Sequence, residues 1–290
     1  MSTLIGELQT QNGNPLLKMW NVRLAECERP FIRHSHARFE ITLVNDGYGE
    51  YTTENTIYPM APGDVFVFSS HEVHCITKAE KNGLSITNLH FEPRYLSGEF
   101  SESFGDSYLA FCLFHAPDFA NRIPAEKAAV VRGYHNMIRE EFEKQEDQYS
   151  LAIHSYLDLI LIELLRRHGY RSQAVFKSAL PDLLTIYDYI DCHFNEPLTL
   201  QEIANLVGIS PNYFSRRFKE WNGISLWDYI TAKRVEKAVT LILSPEQELS
   251  MLEIALQCGF NNTVNFNKAF KKQKGFTPTE LKKNPKLLFH

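Results

Sequence analysis

The chain has 290 residues, of which 44% are hydrophobic and 22% charged, with a net charge of −5, which is typical of a globular protein and excludes a disordered one. No segment approaches the run of about 18 apolar residues that indicates a transmembrane helix, and the first residues lack the basic and apolar regions of a signal peptide. The five cysteines are widely spaced without a Cys-x-x-Cys pair, so we expect a cytoplasmic protein with neither a disulfide framework nor a thiolate zinc site.

The charge is unevenly distributed along the chain. From Lys177 onward there are 14 basic and 12 acidic residues, whereas the preceding part has 16 basic and 23 acidic residues. A site for a polyanion is therefore expected in the C-terminal part.

Residues from about 20 to 95 are predicted to form short, mostly antiparallel strands. Apolar and polar residues alternate from Phe39 to Leu43, and a turn is expected at Asn45-Asp46-Gly47. The continuously apolar run Val65-Phe66-Val67-Phe68 predicts a strand that is buried on both faces.

A group of polar residues within these strands is similar to the two motifs of cupin barrels. His34, His36 and Glu40 share one strand parity, so their side chains are expected on one face, and Gly63 and His74 have the spacing of the second motif. Arg38 has the same parity and is suited to a carboxylate or hydroxylated ligand. The predicted effector-binding residues are His34, His36, Arg38, Glu40 and His74.

The same side chains allow a second interpretation. Three histidines and a carboxylate are a competent ligand set for a divalent transition metal, so His34, His36, Glu40 and His74 are also a candidate metal site of an oxygenase or isomerase. Glu28, Ser69 and His71 depart from the glycine and proline positions of the cupin motifs. These departures favour an effector pocket without a cofactor.

Two helices are predicted after the strands, over residues 125–145 and 149–168. The second has an apolar stripe at helical spacing, which we expect both to cover the sheet and to mediate dimerisation. Its candidate residues are Leu157, Ile160, Leu161 and Leu164. Residues 169–180 are predicted to be a linker.

The last third contains an internal repeat with an offset of 51 to 52 residues. Thr199 and Ser250 are each followed three residues later by a glutamate, which predicts capping boxes, and Gly208 and Gly259 are predicted to end the capped helices. A second helix in each repeat has two phenylalanines four residues apart, which are expected to face the core, and a polar, basic opposite face. This arrangement predicts two helix-turn-helix units whose second helices fit a major groove.

A long helix is predicted from Leu226 to Leu243 between the two units. Its 18 residues would span ~27 Å, against the ~34 Å between successive major-groove faces. One chain is therefore expected to place both second helices in adjacent grooves, with some bending of the DNA.

Residues 180–283 closely resemble the AraC/XylS family of bacterial transcription regulators. The matching positions include Tyr213-Phe214-Ser215, Phe218-Lys219, Arg234-Val235, Gly259-Phe260 and Gly275-Phe276-Thr277-Pro278. The resemblance implies which side chains face base edges. They are Asn212, Ser215 and Arg216 in the first helix-turn-helix unit, and Thr263, Val264, Asn267 and Lys268 in the second. Lys219, Lys271 and Lys272 are predicted to contact phosphates, which position the protein without specifying a sequence.

We therefore predict an α+β protein of two domains: a cupin-like antiparallel β-barrel with appended helices, and an all-α double helix-turn-helix domain. The predicted boundaries are residues 1–168 for sensing and dimerisation, 169–180 for the linker and 181–290 for DNA binding. The resemblance implies a non-enzymatic, homodimeric regulator that binds promoter DNA, a small effector such as a sugar, and RNA polymerase. The alternative is a cupin metalloenzyme with an accessory DNA-binding domain.

Overall fold

The computed structural model describes residues 2–9, 15–31, 36, 38–70, 72–92, 95, 119–170, 180–222, 224–244, 249–285 and 287. The chain forms two compact units, residues 1–31 with 38–177 and residues 32–37 with 178–290. The elements of the first unit are strands and two helices, and those of the second are helices, which confirms the predicted α+β class. The domain boundaries stay predictions, and residues 171–179 of the predicted linker lie outside the described part.

Among the described residues, the first unit contains one antiparallel sheet of eight strands. The strands pair in the order β1-β2-β7-β4-β6-β8, with β3 on β7 and β5 on β4. Their bounds are β1 Ser2–Gln9, β2 Pro15–Leu24, β3 Cys27–Glu28, β4 Phe39–Thr53, β5 Ile57–Met60, β6 Val65–Phe68, β7 His74–Phe91 and β8 Arg122–Ile123.

The central strands of this sheet have two chemically different faces. Glu40 pairs with His90 and Thr42 with Asn88 across β4 and β7, so these four side chains share one face. The intervening positions are apolar and fully or almost fully buried, and they include Leu17, Met19, Phe39, Ile41, Val67, Leu89 and Phe91. The polar face therefore stands opposite the face that forms the hydrophobic core.

Two helices cover the apolar face, α1 (Ala129–Lys144) and α2 (Tyr149–Arg167). Their buried side chains belong to one cluster with those of the strands. The four residues predicted for dimerisation are all 0% exposed in this cluster: Leu157, Ile160, Leu161 and Leu164. Their assignment to a dimer surface is wrong, because the stripe packs on the chain's own sheet.

The second unit contains seven helices among the described residues. Their bounds are α3 Leu180–His193, α4 Leu200–Leu206, α5 Pro211–Asn222, α6 Leu226–Leu243, α7 Met251–Gln257, α8 Thr263–Lys274 and α9 Pro278–Lys283. The predicted helix over Leu226–Leu243 is confirmed with the same bounds. Within the described residues, no helix is long and apolar enough to cross a membrane.

Local signals in the sequence explain how both repeats begin and turn. Thr199 and Ser250 cap α4 and α7 through the predicted capping boxes with Glu202 and Glu253. Gly208 and Gly259, in the turns that follow, have φ values of +66° and +81°, a region that glycine adopts without the penalty of a Cβ. The α4–α5 and α7–α8 pairs are therefore two copies of one helix-turn-helix design.

Buried aromatic residues hold the second helix of each pair in place. Phe214 and Phe218 of α5, and Phe266 and Phe270 of α8, are 0% exposed. Their spacing of four places both rings of each pair on one helical face. Fixing this face leaves the opposite face of α5 and α8 toward solvent.

Candidate functional site

The solvent face of α5 and α8 carries the residues that sequence analysis assigns to DNA. All but one of these ten side chains are exposed, and Thr263, at the start of α8, is half-buried: Asn212, Ser215, Arg216, Lys219, Thr263, Val264, Asn267, Lys268, Lys271 and Lys272. A helix of this kind, apolar on one face and polar or basic on the other, has the width and chemistry to enter the major groove of B-form DNA.

The two recognition faces differ in their exposed chemistry. On α5, the Arg216 guanidinium carbon lies 5.4 Å from the centroid of the Tyr213 ring, a distance at which a cation is attracted to an aromatic ring. On α8, Val264 is 73% exposed and presents an aliphatic side chain, a group that can contact the methyl group of thymine in a major groove. Lys272 lies 3.5 Å from Asp228 of α6, which partly neutralises its charge.

A buried hydrogen-bonded network occupies the polar face of the sheet. Its centre is the Glu40 carboxylate, which is 2% exposed. Oε1 lies 2.6 Å from the Thr42 hydroxyl and accepts a hydrogen bond of 2.8 Å from Tyr51. Oε2 lies 2.6 Å from His90 Nε2 and 3.2 Å from His74 Nε2. A buried carboxylate is tolerated here because several donors surround it.

The hydrogen bonds of His74 determine its protonation. Nδ1 donates to the carbonyl of Glu72 at 2.8 Å, so Nε2 can donate to Glu40 only if the ring carries both protons. Burial opposes this charge, but the charge and hydrogen bond of Glu40 and the contacts of Glu72 outweigh it and raise the pKa of His74. The geometry and the raised pKa of His74 both favour a buried ion pair between Glu40 and a protonated His74.

The predicted effector residues have different positions. Glu40 and His74 lie together in the network, and Arg38 is half-buried with its guanidinium 4.0 Å from the Glu92 carboxylate. His36 is 6% exposed and belongs to the short segment that groups with the second unit. His34 lies outside the described residues.

The network also contains three residues that sequence reasoning missed, Thr42, Tyr51 and His90. Polar and apolar residues alternate from Asn88 to Phe91, and this alternation, which places His90 on the opposite face from Leu89 and Phe91, was the available signal. Its link to Glu40 depends on the β4–β7 register, across 50 residues of sequence. Burial and the Glu40 carboxylate raise the pKa of Tyr51, so its hydroxyl stays a donor.

Comparisons with known protein families agree with both halves of this arrangement. A family model described as an AraC-like ligand binding domain matches residues 26–161, and a helix-turn-helix domain model matches residues 203–284. The chain therefore has the domain composition of an AraC-type transcription regulator. The AraC-like domain contains the Glu40 network, and the helix-turn-helix match contains α5 and α8.

Curated relatives of this AraC-type chain are named as regulators. An uncharacterized HTH-type transcriptional regulator of Staphylococcus aureus strain MSSA476 is 25% identical over 243 residues, which are 83% of this chain and 31% of the relative. The chain thus spans about a third of the length of the first relatives that it matches. LumQ of Photobacterium leiognathi, a probable transcriptional regulator, is 23% identical over 91% of this chain and 96% of its own.

Solved structures share the fold of this AraC-type chain. ToxT from Vibrio cholerae O395 has a TM-score of 0.63 at 10% identity, covering 92% of this chain and 97% of ToxT. A second crystal form of ToxT gives a TM-score of 0.65 at 11% identity. At these identities the likeness is one of fold.

Proposed function

We propose that this protein is a cytoplasmic, sequence-specific transcription regulator whose two helix-turn-helix units read promoter DNA together. The observation that carries the proposal is the presence of two capped and turned helix pairs, each with a buried phenylalanine pair and a solvent face of polar and basic residues. A single pair of this kind also occurs in all-α domains that do not bind DNA, whereas two copies are typical of a bipartite reader.

The length of α6 supports simultaneous reading by the two units. Its 18 residues span ~27 Å at 1.5 Å per residue, close to the ~34 Å of one helical turn of DNA. The remaining difference is within the range that DNA bending covers. The length of α6 therefore supports placement of the two recognition helices in adjacent major grooves of one duplex.

Selection of duplexes from a random pool by the full chain tests this proposal. We expect an enriched motif of two half-sites with centres about 10 base pairs apart. Binding should weaken steeply as salt is raised, because the lysine and arginine contacts release counterions from the DNA. Recovery of duplexes without a shared motif would contradict sequence-specific binding.

For the N-terminal unit, which contains the sheet, we propose a non-enzymatic sensor whose effector binds on the polar face of the sheet. Hydroxyl, imidazole and carboxylate groups lie there beside the aromatic ring of Trp20, whose centroid is 4.5 Å from that of His90. Such a mixture suits a sugar or another hydroxylated metabolite, the class that the family resemblance implies. Lys18 and Arg38, each in an ion pair with a glutamate, add cationic groups on the same face.

A carboxylic acid is the other effector class to test. ToxT structures have been solved with (E)-4-(8-methylnaphthalen-1-yl)but-3-enoic acid and with an unsaturated fatty acid. A panel of sugars and organic acids should contain a compound that shifts the melting temperature of the full chain and changes its affinity for selected DNA. A compound that shifts the melting temperature equally in wild type and in Thr42→Val does not use the polar face.

Glu40 and His90 belong to a group of side chains that could hold a metal ion, but in the structure they are spaced as hydrogen-bond partners, so the metalloenzyme is the second candidate to test. Two ligands of one tetrahedral metal ion, each ~2.1 Å from it, lie about 3.4 Å apart. Glu40 Oε2 and His90 Nε2 are 2.6 Å apart, a hydrogen-bond distance. Metal analysis of the purified full chain tests this point, because a stoichiometric metal that is lost in His90→Ala would favour the metalloenzyme.

We further propose that the protein acts as a homodimer and contacts RNA polymerase. Because the apolar stripe of α2 is buried, we propose that the exposed apolar side chains of α2 form the dimer interface instead. Leu151 and Leu159 are 48% and 38% exposed, and their spacing of eight places them on neighbouring parts of one face. An apolar face of this kind is suited to packing against a second copy, because homodimer interfaces are more apolar than the rest of a protein surface.

Leu159→Asp is expected to convert the dimer into a monomer at micromolar concentration, because an aspartate in the pair of helices would be buried without a partner. Sedimentation velocity measures the change. Leu252→Asp is the matched control, since Leu252 of α7 is 49% exposed in the other unit. If Leu159→Asp sediments as wild type does, this face is not the dimer interface.

A further inference from the structure

Arg234 is part of the family signature, yet it does not lie on a recognition helix. It is on α6, and its side chain contacts the segment between α3 and α4. Nε donates to the carbonyl of Phe194 at 2.6 Å, and Nη2 donates to the carbonyl of Glu196 at 3.0 Å. Both carbonyls lie just beyond α3, at a helix end where carbonyls lack helical partners and where a cation is favoured.

The same guanidinium contacts the turn of the second helix-turn-helix unit. Its carbon Cζ lies 5.8 Å from the centroid of the Phe260 ring. A Cβ on Gly259 would lie 2.9 Å from Arg234 Nε and 2.7 Å from Asn195 Cα. The backbone of this turn is therefore packed directly against both Arg234 and the segment before α4.

These contacts join three parts of the double helix-turn-helix. The segment 194–196 leads into α4, the first helix of the first helix-turn-helix unit. The turn at Gly259 leads into α8, the recognition helix of the second helix-turn-helix unit. The helix that joins the units, α6, supplies the arginine that contacts both. Arginine suits this position because its planar guanidinium offers several donors in a fixed geometry and packs on aromatic rings, whereas lysine offers a single point charge.

We propose that Arg234 is a positioning residue that fixes the spacing and relative rotation of the two recognition helices. The proposal rests on the proposed reading of DNA by both units. Arg234 holds the segment 194–196 and the Gly259 turn against α6, so that the distance between α5 and α8 on the DNA is fixed. Loss of the Arg234 contacts leaves each recognition surface intact but weakens the preference for one spacing between the half-sites.

The test uses the full chain as wild type, Arg234→Ala and Arg234→Lys. The probes are a bipartite duplex selected by the wild type, the same duplex with one base pair inserted between the half-sites, and a duplex with the first half-site alone. Thr240→Ala, an exposed position on the same helix, is the matched control. Arg234→Lys keeps the charge and covers the case in which the alanine variant fails to fold.

We expect Arg234→Ala to bind the selected duplex about tenfold more weakly than wild type, since charge-assisted hydrogen bonds are lost. Binding to the single half-site should be unchanged, and the penalty for the inserted base pair should be smaller than in wild type. Arg234→Lys should show the same pattern, and Thr240→Ala should match wild type.

Two results would overturn the proposal: a wild-type spacing preference in both Arg234 variants, or an equal loss on the half-site and the bipartite duplex. The second result would show general damage to the fold. If the wild type itself selects no duplex, the DNA-binding function fails, and that failure is distinct because it appears before any variant is compared.

Discussion

Replacing Glu40 by glutamine should lower the free energy of unfolding by roughly 3–5 kcal/mol at pH 6, because a protonated His74 is left buried without its counter-ion. The replacement has the same shape, so packing is preserved while the charge is removed. The remaining donors of the network, Thr42, Tyr51 and His90, also lose a charge-assisted acceptor. Urea unfolding of both proteins measures the difference.

The pH dependence of this difference in unfolding free energy tests whether the ion pair between Glu40 and His74 is its cause. The pKa of His74 is raised in the folded state, so its stabilising contribution is complete below the unfolded pKa of about 6.5 and is lost as the pH rises through the folded pKa. The difference in unfolding free energy between wild type and Glu40→Gln should therefore be widest below a pH of about 6.5 and should narrow as the pH rises through the folded pKa of His74.

Glu50→Gln is the matched control for this experiment. Glu50 is on the same strand, and its side chain and that of its partner Lys78 are 37% and 40% exposed, 3.5 Å apart. An exposed pair of this kind contributes about 0–1 kcal/mol. An equal effect of the two substitutions, or a gap that does not change with pH, would show that the Glu40–His74 ion pair does not stabilise the sheet.

Replacing Arg216 by alanine should weaken binding to a selected duplex by roughly 1–3 kcal/mol and relax the preference at one base pair. The arginine is exposed on α5 near the Tyr213 ring, and its planar fork matches the two acceptors of guanine. Fluorescence anisotropy with duplexes that vary one position at a time measures both effects.

Lys219→Ala provides the comparison, because Lys219 is exposed on the same helix and is assigned to a phosphate. Its loss should weaken binding by a similar factor on all duplexes and reduce the salt slope by about one unit. If Arg216→Ala instead binds every duplex as tightly and selectively as wild type, Arg216 does not read a base.

The helical unit was predictable from local signals alone. The capping pairs, the glycines with positive φ and the apolar spacing of α6 all act within a few residues, so the sequence contains them in full. Each of these local signals occurs twice, because the sequence contains two copies of the repeat. The recognition residues follow from the same logic, because burial of Phe214 and Phe218 determines which side chains of α5 face solvent.

The sheet was less predictable because its site depends on long-range register. Strand parity placed Glu40 among inward-facing residues, but the identity of its partners depends on pairing between β4 and β7. The stripe on α2 illustrates a second limit. An apolar helix face has the same pattern whether it covers the chain's own sheet or a second copy, and Leu157 and Ile160 cover the sheet.

Binding of the full chain to a selected duplex with one half-site scrambled tests most directly whether both helix-turn-helix units read DNA together. Scrambling either half-site should lower the affinity at least tenfold, with the larger loss at the half-site of α5, because Arg216 offers a fork that Lys268 lacks. Unchanged affinity after scrambling the half-site of α8 would contradict joint reading by the two units.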